Sequence, residues 1–156
     1  MSRAKLLRLA PVRPDRTGNA VECTFDEFSR INPVVKAPTL VCDDGEVLMD
    51  STLILDYAEA LAHPRTLMPA TLKERQQALR LIGLALAATE KSVQIVYEHG
   101  LRPPEKVHAP WLGRVTGQLL AAFGELEQAL APRTPPQRSA ELDQAGVTIA
   151  VAWHFA

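Results

Sequence analysis

Cysteine is scarce in this chain: two residues of 156, Cys23 and Cys42. That excludes a disulfide-stapled scaffold and fits a reducing cytosol, where thiols stay free. Eight glycines and 12 prolines are too few for a collagen-like or low-complexity chain. Neither sign of charge dominates. Lys and Arg total 17 against 18 Asp and Glu, a net charge of −1, so the basic excess of a nucleic-acid or membrane-surface binder is missing. No apolar run approaches the length of a membrane span, and the basic Met1–Pro14 segment has too short an apolar core for a signal peptide. What is present is a 47% hydrophobic composition, enough for one ordinary domain or two small ones with a real core. The expectation is a cytoplasmic chain that binds neither nucleic acid nor membrane.

Composition changes near residue 70. Before it, short β-rich apolar runs alternate with Pro, Gly and Asp; after it, Leu, Ala, Glu, Gln and Arg recur at helical spacing. Two prolines in His63–Pro69 break any helix, so the expected division is an α/β domain over 1–62, a linker over 63–70 and an all-α domain over 71–156. In the first part, Leu6, Leu7, Leu9 and Val12 predict a strand, followed by a polar Asp15–Asn19 loop. Thr24 and Glu27 form a capping-box pattern opening a short helix through Phe25, Phe28 and Ile31. Thr39–Cys42 and Val47–Met49 flank an Asp43-Asp44-Gly45 turn and predict a β-hairpin. A helix from about Ser51 carries Leu53, Ile54, Tyr57, Ala58 and Leu61 on one side.

The second part opens on another capping-box pair, Thr71 and Glu74. A long helix then presents Leu79, Ile82, Leu86, Val93 and Tyr97, and ends at Gly100 ahead of Pro103 and Pro104. The next helix has Pro110 in its first turn and a stripe of Leu112, Val115, Leu119, Phe123, Leu126 and Leu130. The chain stops inside a third apolar segment, Val147–Trp153, although termini are usually polar and exposed.

The informative block runs from Asn32 to Ser51. Pro38 stands at the entry to a strand that must join a hairpin, a position where proline is tolerated and where cis bonds occur. A cis bond there leaves the backbone N–H and C=O of Ala37 free to pair with an extended peptide ligand as a strand would. Asp50 and Ser51 open the next helix, where unpaired amides and the helix dipole favour an anion and the Ser hydroxyl adds a donor. Asp50 could instead meet an ammonium. A ligand with an α-amino and an α-carboxylate group at one end and a peptide backbone behind it satisfies both features. The plainer alternative for Asp50 and Ser51 is a bare helix N-cap, and for Lys36 a solvated surface lysine.

This block resembles the glutathione-binding half of the glutathione S-transferase family. Asn32-Pro33-Val34-Val35-Lys36-Ala37-Pro38-Thr39-Leu40 is similar to the family's Asn-Pro-x-x-Lys-x-Pro-x-Leu run. The Asp44-Gly45 hairpin and the Asp50-Ser51 helix start follow as they do in the family. In the second part, Tyr97-Glu98-His99-Gly100-Leu101-Arg102-Pro103 and Trp111 resemble bacterial members.

The resemblance implies a thioredoxin-like N-terminal domain, a helical C-terminal domain and a homodimer. It implies glutathione as co-substrate, with its thiolate attacking an electrophilic carbon in an apolar small molecule. By the same resemblance, Ala37 beside Pro38 would pair with the cysteinyl unit, Asp50 and Ser51 would hold the γ-glutamyl end, and Lys36 would reach the glycyl carboxylate. Tyr97 and Trp111 would line the electrophile pocket. The first strand resembles the family's second, which implies that the catalytic strand–helix unit is absent; Asp143-Gln144-Ala145-Gly146-Val147-Thr148 resembles the start of the second domain's core helix, which implies that the far C-terminal end is absent too. It also implies that a chain without the thiolate-stabilising group has little transferase activity. Gly146 stands where the family usually has Asp, which removes that carboxylate from the cap of the last helix.

A second reading is a non-catalytic glutathione-binding or interaction module on the same scaffold. A thiol–disulfide oxidoreductase lacks the Cys-x-x-Cys motif it would need. Cys23 sits before the Thr24 cap with nothing basic fixed beside it, and Cys42 reads as a small core residue. His63, His99, His108 and His154 show no metal-ligand spacing. Glu98 and Arg102, four apart on a helix, predict an ion pair worth a few tenths of a kcal/mol.

Overall fold

The computed structural model describes residues 5–9, 22–134 and 142–156; the expected Asp15–Asn19 loop lies outside them. The chain divides into two compact units, Met1–Thr66 and Leu67–Ala156.

In the first unit a four-stranded sheet has the order β2-β1-β3-β4, with β1 at Lys5–Leu9, β2 at Glu22–Cys23, β3 at Thr39–Val41 and β4 at Val47–Met49. β1 pairs parallel with β2 and antiparallel with β3, and β3 pairs antiparallel with β4. The hairpin turns through Gly45 at φ 90°, a conformation glycine adopts without steric cost. Helix α1, Phe25–Ile31, starts at the expected capping box: the Glu27 N–H donates to Thr24 Oγ1 at 3.3 Å and the Thr24 N–H to Glu27 Oε2 at 2.9 Å. Its Phe28 is fully buried, with Val35 and Val41 packed against it. Helix α2, Ser51–Ala62, follows β4. Of its expected apolar face only Ile54 is half-buried, while Leu53, Tyr57, Ala58 and Leu61 are exposed.

A lone strand was expected ahead of α1, in the place of the family's second strand. The structure instead has two, and β1 is interior to the sheet with the parallel β2 at the edge. Both strands precede α1 and the hairpin in the chain. β2 is two residues long, too short to show an alternating pattern in the sequence.

The second unit is helical. α3 spans Leu72–Gly100, a short 3₁₀ turn spans Pro104–Lys106, α4 spans Ala109–Leu130 and α5 spans Gln144–Phe155. Thr71 caps α3, its hydroxyl accepting the Glu74 N–H at 3.3 Å and donating to the Glu74 carboxylate at 2.7 Å. The buried line of α3 is Ala78, Leu81, Ala85, Ala88 and Ser92. The predicted stripe was set one position off, since Leu79, Leu86 and Tyr97 are exposed. Small residues take the inner line because α4 and α5 both pack against α3, and close helix approach needs short side chains.

On α4, Val115 and Leu126 are buried as the pattern implies, joined by Ala122. Phe123 meets Trp153 of α5 edge to face, with ring centroids 5.4 Å apart. The α5 cap is Asp143, whose Oδ1 accepts the Gly146 N–H at 2.6 Å. Asp143 thus supplies the capping carboxylate that Gly146 lacks.

Candidate functional site

Helix α1 ends at Asn32, whose N–H donates to the Phe28 carbonyl at 2.8 Å. The chain then turns: the Val34 N–H donates to Asn32 Oδ1 at 3.1 Å and the Val35 N–H to the Asn32 carbonyl at 2.9 Å. Val35 sits at φ 54°, a left-handed conformation that a β-branched residue rarely adopts. Such outliers persist where their surroundings hold them, often near binding sites. Past the turn come Lys36, Ala37 and Pro38, and the Ala37–Pro38 peptide bond is cis. A second cis bond, His63–Pro64, lies in the segment read as the linker. Neither the N–H nor the C=O of Ala37 has a hydrogen-bond partner among the described residues.

The hairpin register decides what faces this segment. Thr39 pairs with Met49, so the residues just before β3 lie beside the residues just after β4, which are Asp50 and Ser51. The structure brings Lys36, Ala37, Pro38, Asp50 and Ser51 to one end of the hairpin. Asp50 is the N-cap of α2 at φ 75° and ψ 125°, a backbone conformation that non-glycine residues rarely adopt. Its Oδ1 accepts the Thr52 N–H at 3.0 Å and its Oδ2 accepts from Lys36 Nζ at 2.7 Å. These bonds, the lysine's first, hold the Asp50 carboxyl below its ordinary range. The Ser51 hydroxyl and the Ser51 and Leu53 amides have no partner among the described residues. An anion at this helix start would therefore meet free donors and the positive end of the dipole.

Lys36 and Asp50 thus engage each other rather than standing apart as two separate ligand contacts. Asn32 and Thr39, quoted in the motif but given no role, are the buried polar residues behind this loop, at 2% and 0% exposure. The signal for them was an Asn at a helix end directly before a proline. Tyr97 and Trp111 are in the second unit, in the last turn of α3 and the first of α4, at the same end of that helix pair. Both are exposed, at 59% and 40%.

Between them in sequence, Glu98 is only 5% exposed. Its Oε2 accepts from Arg102 Nε at 2.8 Å and its Oε1 accepts the His108 N–H at 3.0 Å. The predicted pair is present, but as more than a helix-surface contact: the buried carboxylate ties α3 to the start of α4. The His108 amide, and secondarily Arg102, hold the Glu98 carboxyl below its usual range. Among the described residues no group of three or more His, Cys, Asp or Glu could hold a metal ion, and no helix is long and apolar enough to cross a membrane.

A four-stranded α/β unit whose hairpin is entered at Pro38 and whose following helix is capped by Asp50, followed by an all-helical unit, makes a thioredoxin-like domain joined to a helical C-terminal domain. Residues 9–66 match the family model described as glutathione S-transferase, N-terminal domain. A glutathione transferase family member from Pseudomonas fluorescens Pf-5, solved with bound glutathione, aligns at 30% identity and a TM-score of 0.70 over 95% of this chain and 65% of that one. A second Pf-5 structure, with bound S-(propanoic acid)-glutathione, aligns at 32% identity and a TM-score of 0.66 over 79% of this chain and 61% of that one. The glutathione S-transferase of Methylobacillus flagellatus KT, solved with glutathione bound, shares the fold at 20% identity. Its TM-score is 0.79 over 97% of this chain and 82% of that one. No curated protein matches the chain. The chain is a glutathione S-transferase-like protein, and it spans somewhat under two thirds of the length of the two Pf-5 structures.

Proposed function

We propose that this chain binds glutathione at the Ala37–Pro38 and Asp50–Ser51 end of the hairpin and presents its sulfur to an electrophilic small molecule. The single observation that carries the reading is the hairpin register. It sets an unpaired peptide backbone at Ala37 beside a helix start whose hydroxyl and amides are free.

In this reading the backbone of Ala37 pairs with the cysteinyl unit as one strand pairs with another. Ser51 and the first amides of α2 take the γ-glutamyl carboxylate, and Asp50 takes the α-ammonium. The ligand's ammonium then competes with Lys36 for Asp50 Oδ2, freeing the lysine for the glycyl carboxylate. The reaction would join the glutathione sulfur to carbon. The thiolate supplies the electron pair, and the electrophile either expels a leaving group with its bonding pair or, if unsaturated, takes up a proton. Holding both reactants in line converts a bimolecular encounter into a local one. Tyr97 and Trp111 are the proposed apolar contacts for the electrophile, and a homodimer is the proposed assembly.

Calorimetric titration of the 156-residue chain with glutathione tests the binding step. Ser51→Ala should weaken it by about 1–3 kcal/mol, roughly five- to 150-fold, if the hydroxyl pairs with the carboxylate. Unchanged affinity assigns Ser51 to the helix start alone. A conjugation assay with a chromogenic aryl halide tests the chemistry. Binding without turnover supports the non-catalytic module instead.

A further inference from the structure

Behind the hairpin end lies a buried polar pair that no ligand contact explains. Asn32 Nδ2 donates to Thr39 Oγ1 at 2.8 Å and to the Lys36 carbonyl at 3.3 Å, and approaches Met49 Sδ at 3.7 Å. Thr39 Oγ1 in turn donates to the same Lys36 carbonyl at 2.7 Å. One backbone oxygen therefore receives two side-chain donors from residues that are almost wholly buried. Buried side-chain polar groups are costly unless satisfied, and here Asn32 Oδ1 also accepts the Val34 N–H.

The consequence follows from peptide planarity. The Lys36 carbonyl and the Ala37 N–H belong to one planar unit and point in opposite directions. Two buried donors holding the carbonyl inward aim the Ala37 N–H outward, and that N–H has no partner among the described residues.

We infer that Asn32 and Thr39 are positioning residues: they fix the Lys36–Ala37 peptide plane so that the Ala37 amide is presented to the backbone of a peptide-like ligand. Neither residue touches the ligand; both act through the peptide plane. This rests on the reading of Ala37 as a glutathione contact, but the orientation of the plane is measurable without glutathione.

The test uses the full chain with Thr39→Val, Thr39→Ser and Asn32→Asp. Valine keeps the β-branched shape in a strand and removes the hydroxyl, whereas serine keeps it. Two readouts are taken on each variant, with melting temperature as the fold control: the ¹⁵N–¹H signal and exchange rate of the Ala37 amide in the free protein, and the dissociation constant for glutathione. Thr39→Val should shift or multiply the Ala37 signal and weaken glutathione about tenfold. Thr39→Ser should restore a single signal and affinity within about twofold of the parent. Asn32→Asp, which places a carboxylate against the Lys36 carbonyl, should perturb both readouts at least as strongly as valine.

A folded Thr39→Val protein with an unchanged Ala37 signal overturns the inference. So does a perturbed signal that leaves glutathione affinity intact, because the plane then does not govern binding. If the parent protein itself binds no glutathione, the proposed function fails, and the Ala37 signal alone decides whether the pair sets the plane.

Discussion

At the scale of single residues, Asp50 carries two separable tasks. Its Oδ1 caps α2 and its Oδ2 holds an ammonium, which is Lys36 in the free protein. Asparagine is as good an N-cap as aspartate but carries no charge. Asp50→Asn should therefore leave the melting temperature within about 2 °C of the parent while weakening glutathione about tenfold; Asp50→Ala should lose the cap as well, about 1 kcal/mol. Thermal melts beside calorimetry separate the two, and an Asp50→Asn protein with full affinity removes the ammonium contact from the reading.

Glu98 gives a pH prediction. Its folded carboxyl titrates below the ordinary 4.5 because the His108 amide and Arg102 favour the anion. A lowered folded value means the stabilisation is complete above the ordinary value and disappears as pH falls through the depressed one. Glu98→Gln should melt several degrees lower at pH 7, with the gap closing in acid below the ordinary carboxylate range. A gap independent of pH would show that charge plays no part. The motif residues were legible because Pro, Gly and a helix-opening Asp-Ser leave local marks. The burial of Glu98 was not legible, because its second partner lies beyond a loop and no spacing rule reaches His108.

At the scale of elements, helix starts were the most legible features and helix faces the least. Thr24 and Thr71 cap where their local sequence says, since a cap is satisfied within four residues. The inner face of α3 depends on which neighbours approach, and two helices do so over a line of alanines. Leu79 and Leu86 of the predicted stripe therefore mark the wrong line, while Leu81 lies on the buried one. Ala85 is fully buried and Leu79 half-exposed. Ala85→Leu should destabilise by about 1–3 kcal/mol through overpacking, whereas Leu79→Ala should cost within about 0.5 kcal/mol. Urea unfolding of both variants checks the phase. A larger loss at Leu79 would return the core to the predicted stripe. The same locality explains the missed β2: two residues offer no period to detect, and only pairing with β1 reveals them.

At the scale of the whole molecule, the described residues of the two units bury different mixtures of side chains. The second has a continuous apolar core around Ala78, Leu81, Ala85 and Leu126. Among the described residues, the first buries Phe28 and Leu40 together with the polar Asn32 and Thr39, and the two polar side chains are tied by hydrogen bonds around the hairpin end. A ligand seated there stabilises the state that binds it by RT ln(1 + [L]/Kd), about 2.7 kcal/mol at a hundredfold excess over Kd. Amides of the first unit that exchange by opening of that unit should then slow by about a hundredfold. Hydrogen exchange read by mass spectrometry, with and without glutathione, should place the strongest protection in peptides covering Asn32–Ala62. Peptides from α3 and α4 should be protected less, because they hold no proposed contact with the tripeptide beyond the electrophile side. Protection confined to Leu72–Leu130 would move the binding site off the hairpin and onto the helical unit, and the register argument would fail with it.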